Sequence, residues 1–99
     1  MIKSNKYRKA ARGQQCTMQI VGVCNYNADT VVFCHFPDET HGIGKKSDDV
    51  SGGDCCNNCH DVIDGRVEDK NFKEFKDFYL RRSQTRTIRR RFNQGILKL

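Results

Sequence analysis

The residues of this chain best able to do chemistry are six cysteines and three histidines. Four of the cysteines fall into two pairs. Cys56 and Cys59 form a C-x2-C knuckle at the mouth of a predicted helix, and Cys16 and Cys24 have seven residues between them, around a turn at Gly22. Two thiolates three positions apart can both reach one tetrahedral ion, and a helix N-terminus favours their negative charge. Four thiolates drawn from two distant segments make a closed site, expected to hold one structural Zn²⁺ through Cys16, Cys24, Cys56 and Cys59. Cys55 could stand in for Cys56, at the cost of a C-x3-C spacing. The string Cys56-Asn57-Asn58-Cys59-His60 is also a haem-attachment signature, but that chemistry needs an export or dedicated assembly context that nothing here signals.

His60 and Asp64 are four positions apart on the same predicted helix, so they share one face, while Cys59 sits about 100° away around the axis. One helix could thus hold zinc with Cys56 and Cys59 and offer His60 and Asp64 to a second, hydrated cation such as Mg²⁺ or Mn²⁺. In the other reading, Asp64 is an ordinary surface acid and His60 a zinc ligand. His35 lies in the segment Thr-Val-Val-Phe-Cys-His-Phe. Beside a cation it would suit a general base, because imidazole titrates near working pH. Regular pairing would turn Cys34 to the opposite face. His41, in a long polar loop, is open between third ligand, phosphate contact and no role.

These groups need elements to position them. Residues 30–36 are β-branched and aromatic, the best strand signal, and Pro37 ends it. Residues 38–54 read as a long polar loop rich in glycine. Residues 55–66 read as a knuckle running into a short helix, with Asn57 or Asn58 as its cap. Residues 71–91 are the strongest helix candidate. There Phe72, Phe75, Phe78 and Tyr79, continued by Ile88 and Phe92, form a stripe that reads as core packing, with base stacking as the other use.

Ninety-nine residues make one domain, 1–99, which buries only about 60–65% of its unfolded surface. Only 36% of the residues are hydrophobic, so a metal, crosslinks or a partner must add stability. Residues 1–12 are polar and basic and no run reaches membrane-spanning length, so the expected setting is the reducing cytoplasm, where cysteines serve metals more often than crosslinks. Charge is segregated: all twelve acids lie between residues 29 and 77, and the two ends are purely basic. A basic N-terminal arm (1–13) with Arg8, Lys9 and Arg12, and a basic C-terminal helix (71–93) with Arg82, Arg86, Arg89 and Arg90, suit a polyanion. Solubility alone would also account for such runs.

Three segments together resemble a known family. Tyr7–Cys24 (YRKAARGQQCTMQIVGVC), Val32–Phe36 and Cys56–Arg66 (CNNCHDVIDGR) look like the small prophage-encoded nucleases of the YbcO type. These are similar in turn to the His-Asn-His endonucleases, which build a β-hairpin and a helix around a metal. The resemblance implies an α+β fold of treble-clef or ββα-metal type, zinc-bound, with a long C-terminal helix. It also implies metal-dependent endonucleolytic hydrolysis of DNA in a bacterial host, of phage recombination or DNA-processing type. Carried over, His35 matches the general base, His60 the principal ligand of the catalytic cation, Asp64 its companion, and the four paired cysteines the zinc knuckle. Cys34 stands where such enzymes carry His or Asp, and Asp49 lies nearest the place of the middle asparagine. The alternative is a zinc-stabilised DNA-binding or recombination-accessory module without chemistry.

Overall fold

Two segments pair as strands, and the second is one that β-propensity alone would pass over. The computed structural model describes residues 2–38 and 46–99, so His41 lies outside the described residues. Strand β1 (Val32–His35) follows a 3-10 turn at Ala28–Thr30 and pairs antiparallel with β2 (Gly52–Cys55). In register, Cys34 faces Gly53 and His35 faces Gly52. The sequence Gly-Gly-Asp-Cys of β2 sits at the end of what reads as a loop. Its glycines are there for space. A Cβ on Gly52 would overlap the Cys34 carbonyl and the Phe33 ring, and one on Gly53 would overlap the Ser83 hydroxyl. Backbone approaches of this kind are a recurrent reason for glycine inside a strand.

The helices are shorter than expected at one end of the chain and divided at the other. Ser4 caps α1 (Asn5–Lys9) by accepting from the Tyr7 amide. Helix α2 (Asn57–Ile63) is capped by Cys56, whose sulfur accepts from the Cys59 amide at 3.4 Å. The expected caps, Asn57 and Asn58, are instead its first helical residues. The single helix expected over 71–91 is two: α3 (Lys70–Glu74), capped by Asp69, and α4 (Lys76–Asn93). They are separated by Phe75, whose φ of −114° and ψ of 29° break the helical path.

That break changes which residues face inward. Phe72 and Tyr79 are buried, whereas Phe75, Phe78 and Phe92 are about half exposed, so the aromatic stripe is core only in part. The inward residues of α4 are Tyr79, Ser83, Thr87 and Arg91, spaced by four and mostly polar. They face β2. Asp54, fully buried, receives Arg91 through both guanidinium nitrogens (Nη1 to Oδ2 at 2.9 Å, and Nη2 to Oδ1) and Arg90 at 2.8 Å. Arg91 Nε also donates to the Tyr7 carbonyl at 2.7 Å. Thr17 bonds with Ser83 at 2.6 Å and donates to the Asp54 carbonyl at 2.9 Å, and Thr87 receives the Asp54 amide at 3.2 Å. The apolar core lies beside this network and includes Met18, Ile20, Val31, Phe36 and Val62.

The result is a small α+β fold with a two-stranded sheet and a long C-terminal helix. Its radius of gyration, 12.7 Å, matches the ~13 Å of a compact chain of this length. Among the described residues, no helix is long and apolar enough to cross a membrane.

Removing one partner of a buried ion pair strands the other. Arg91→Met should therefore cost about 3–5 kcal/mol of folding free energy, read from urea unfolding midpoints. A loss below 1 kcal/mol, the scale of an exposed pair, would mean that Arg90 alone satisfies Asp54.

Candidate active site

The four paired cysteines converge. The sulfurs of Cys16, Cys24, Cys56 and Cys59 all lie within 4.8 Å of one another, and Cys24 and Cys56 are 3.8 Å apart. Tetrahedral zinc with Zn–S of about 2.3 Å spans a sulfur–sulfur edge of about 3.8 Å, so the donor set fits that ion. All six cysteines are free thiols rather than disulfides. The two halves of the cluster are built alike. The Gln19 amide points to Cys16 sulfur at 3.5 Å, as the Cys59 amide points to Cys56. A left-handed Gln19 (φ 48°) and Gly22 (φ 75°) turn the chain back to Cys24. A hydrogen bond from Cys59 lowers the Cys16 thiol to about 5, while burial pushes Cys24 up to about 12. The hydrogen bond to Cys16, and then burial, push Cys59 up.

Three arginines of α4 fix the segment that carries Cys16. Arg82 donates to the Met18 carbonyl at 2.9 Å, Arg86 to the Thr17 carbonyl at 3.4 Å and Arg90 to the Gln15 carbonyl at 2.9 Å. These side chains, expected on a phosphate-binding face, are engaged with the protein's own backbone. Arg91 is buried on Asp54, and Arg89 is exposed.

His60 is not part of the cysteine cluster. Its Nε2 lies 3.1 Å from Asp64 Oδ2, and these groups gather with Cys34 sulfur, all three donors within 4.8 Å of one another. Cys34, buried at 1% exposure, thus joins His60 and Asp64, a grouping that sequence reading left open. The Cys55 thiol is fully buried and donates to the Gly53 carbonyl at 3.6 Å. Hydrogen bonding by the Cys55 thiol and the neighbouring His60 bring Cys34 down to about 6 against its burial, and the Cys34 sulfur in turn raises His60. Arg66 Nη1 reaches Asp64 at 3.2 Å and Asp61 at 3.1 Å.

His35 and the His60–Asp64 pair line one cleft of about 380 Å³, together with Phe33, Lys46 and Arg66. A neighbouring groove of about 220 Å³ shares Phe33, His35 and Lys46 and continues along Arg8, Lys9 and Arg12. The basic arm therefore runs into the same depression as the two histidines. His35 has a partner of its own. Its Nε2 is 2.8 Å from Asp49 Oδ1, and Asp49 Oδ2 accepts from the Ser4 amide at 2.6 Å and is ion-paired with Arg8 Nε at 3.0 Å. The carboxylate fixes Nε2 as the protonated nitrogen and leaves Nδ1 with its lone pair. Burial alone would raise Asp49; hydrogen bonds from His35 and Ser4 and the Arg8 charge outweigh it and hold the carboxyl below its usual value.

Lys46 and Arg66 carry no role in the sequence reading, and Asp49 enters it only as the residue nearest the place of the middle asparagine. A carboxylate fourteen residues from His35 has no local spacing signal.

The chain as a whole resembles known proteins. Residues 5–96 match the protein family described as "Putative nuclease YbcO". The chain is 45% identical over 61 residues to "Putative nuclease YbcO" of Escherichia coli (strain K12), and equally so to "Putative nuclease ybcO" of Enterobacteria phage 82. Each match covers 61% of this chain and 64% of the relative. A solved structure, "Structure of a putative bacteriophage protein from Escherichia coli str. K-12 substr. MG1655", aligns with a TM-score of 0.72 at 32% identity, over 91% of this chain and all of that one.

The depressed Asp49 carboxyl makes a prediction with a definite sign. A carboxylate whose folded pKa lies below its unfolded value of about 3.9 stabilises the fold above that pH, and the contribution is lost as pH falls through the folded value. The stability difference between the parent and Asp49→Asn should thus be full at pH ~6 and shrink below pH ~4. Urea midpoints of both proteins across that range measure it. A difference that grows towards acid would reverse the assignment.

Proposed function

Because this chain belongs to the YbcO family, we propose that it is a divalent-metal-dependent endonuclease that hydrolyses DNA phosphodiester bonds, on a treble-clef domain held by one structural zinc. The setting that suits its free thiols is the reducing cytoplasm of a bacterial host. The observation that carries the reading is the shared cleft, which His35 enters from the strand and His60 and Asp64 from the helix. A candidate base and a candidate cation site on one depression, with basic residues leading into it, suit a phosphodiester substrate.

In this mechanism His35 Nδ1 takes a proton from water as the water oxygen attacks phosphorus, and Asp49 holds the imidazole in the required tautomer and offsets its growing positive charge. A divalent ion at His60 and Asp64 would supply Lewis-acid polarisation of the phosphate and offset charge on the departing oxygen. Lys46 and Arg66, on the cleft wall, are placed to pair with non-bridging phosphate oxygens, and Phe33 walls the cleft beside His35. Arg8 orients Asp49, while Lys9 and Arg12 extend a phosphate-binding track along the neighbouring groove. Arg82, Arg86 and Arg90 contribute to binding indirectly, by holding the knuckle, and Arg89, exposed on α4, could meet a backbone directly.

His35→Ala and His60→Ala should each reduce cleavage of plasmid and single-stranded DNA by at least about 10²-fold, the low end of what a general base contributes, with melting temperature unchanged. Full activity in either variant would leave a DNA-binding module without chemistry as the account. Zinc removal is a separate test. Stripping the four-cysteine site should unfold the protein, since structural zinc contributes on the order of 10 kcal/mol, so chelation that leaves the melting temperature in place would refute that role. Binding should also be steep in salt, with a log–log slope near −5 for about six phosphates, and Lys9→Ala with Arg12→Ala should flatten it. Salt-insensitive binding would remove the phosphate track.

A further inference from the structure

We infer that the cluster of Cys34, His60 and Asp64 is a zinc-class site with Cys34 thiolate as a ligand, selective for thiophilic ions over Mg²⁺. The catalytic use of this site rests on the nuclease reading above; its metal preference does not. His60 and Asp64 alone would suit a hard, hydrated cation. The third donor changes that, because thiolate favours Zn²⁺, Co²⁺ and their kind, whereas Mg²⁺ takes oxygen ligands in a near-octahedral shell and keeps most of its water.

The geometry suits a tetrahedral ion. Cys34, His60 and Asp64 donors lie within 4.8 Å of one another, and the His60–Asp64 separation of 3.1 Å is close to the edge of about 3.3 Å that nitrogen and oxygen ligands of zinc span. Three protein ligands of mixed type with a side left open is the pattern of catalytic rather than structural zinc. The open side here is the cleft: His60 and Asp64 are partly exposed and line it, while Cys34 closes the site from within.

Cys55 belongs to neither cluster. It is fully buried, two residues along β2 from the Gly53 that faces Cys34, so both thiols point to one face of the sheet, and its sulfur donates to the Gly53 carbonyl at 3.6 Å. The two clusters divide five of the six cysteines between them, and the sixth lies beside the second.

The test uses the full chain with zinc first loaded into the four-cysteine site. Titration with Co²⁺ should then fill one further equivalent and give a sulfur-to-cobalt charge-transfer band in the near ultraviolet. Cys34→Ser should abolish that band and weaken Co²⁺ binding at least about 100-fold, beyond the 10–100-fold typical of an outer-shell partner. Mg²⁺ in about a thousandfold excess should not displace the cobalt from the parent protein, a measurement that needs no variant to fold. Cys34→Asp should lose the band and bind Mg²⁺ or Mn²⁺ in place of cobalt. Cobalt bound without a sulfur band, a band that survives Cys34→Ser, or easy displacement by Mg²⁺ would each overturn the inference. A sulfur band without DNA cleavage in any metal would support it and defeat the nuclease reading instead.

Discussion

The bidentate pairing of Asp54 with Arg91 is the constraint on which the other parts depend. Both groups are fully buried, so neither can be left to water and each requires the other. Asp54 lies on β2 immediately before Cys55 and Cys56. Its backbone carbonyl receives the Thr17 amide at 2.7 Å, next to Cys16, and Arg91 holds the Tyr7 carbonyl of α1. One ion pair therefore sets α4, β2, the knuckle and the N-terminal helix in a single arrangement. The hydroxyls of Thr17, Ser83 and Thr87 complete it, and their small size lets α4 lie against the bare backbone of Gly53. An apolar stripe on α4 would pack more area, but it would leave Asp54 without its cation.

Around that frame the chain separates two kinds of chemistry by direction. The knuckle and the start of α2 gather four sulfurs on one side. The next residue of the helix, His60, turns to Cys34 and Asp64 and to the cleft on the other. Alternation along β1 serves the same end: Cys34 enters the core while Phe33 and His35 face the cleft. Asp49, reached by a long connection, closes the arrangement by holding His35 against Arg8 and the Ser4 amide.

Much of this was legible in the sequence where a local spacing carries it. The two cysteine pairs, the i,i+4 relation of His60 and Asp64, and the β-branched run at β1 are all short-range signals, and each lies where its spacing put it. The rest depends on contacts far apart in the chain. Gly-Gly-Asp-Cys forms a strand because of what packs against it, not because of its own preference. The helix expected over 71–91 is divided at Phe75, and the inward face of α4 is polar because a buried carboxylate 37 residues before Arg91 decides what must meet it. The arginines of α4 read as a cationic surface by composition, yet three of them serve backbone carbonyls of residues 15–18. The pairing of His35 with Asp49 has no sequence period, and so could be found only in three dimensions.

Helix α2 is seven residues long, and it carries donors for both clusters within little more than two turns. Too short to hold its shape alone, it stays in place only while its capped end is anchored. On the proposed reading an order of assembly follows: the sulfur cluster would be completed first, and His60 and Asp64 would gain a fixed separation after it. Under that proposal, loss of activity on treatment with a strong chelator would say little about which ion takes part in the reaction, since emptying the first cluster would dismantle the second. Only reagents that discriminate between the buried sulfurs and the open cleft can report on the two ions separately.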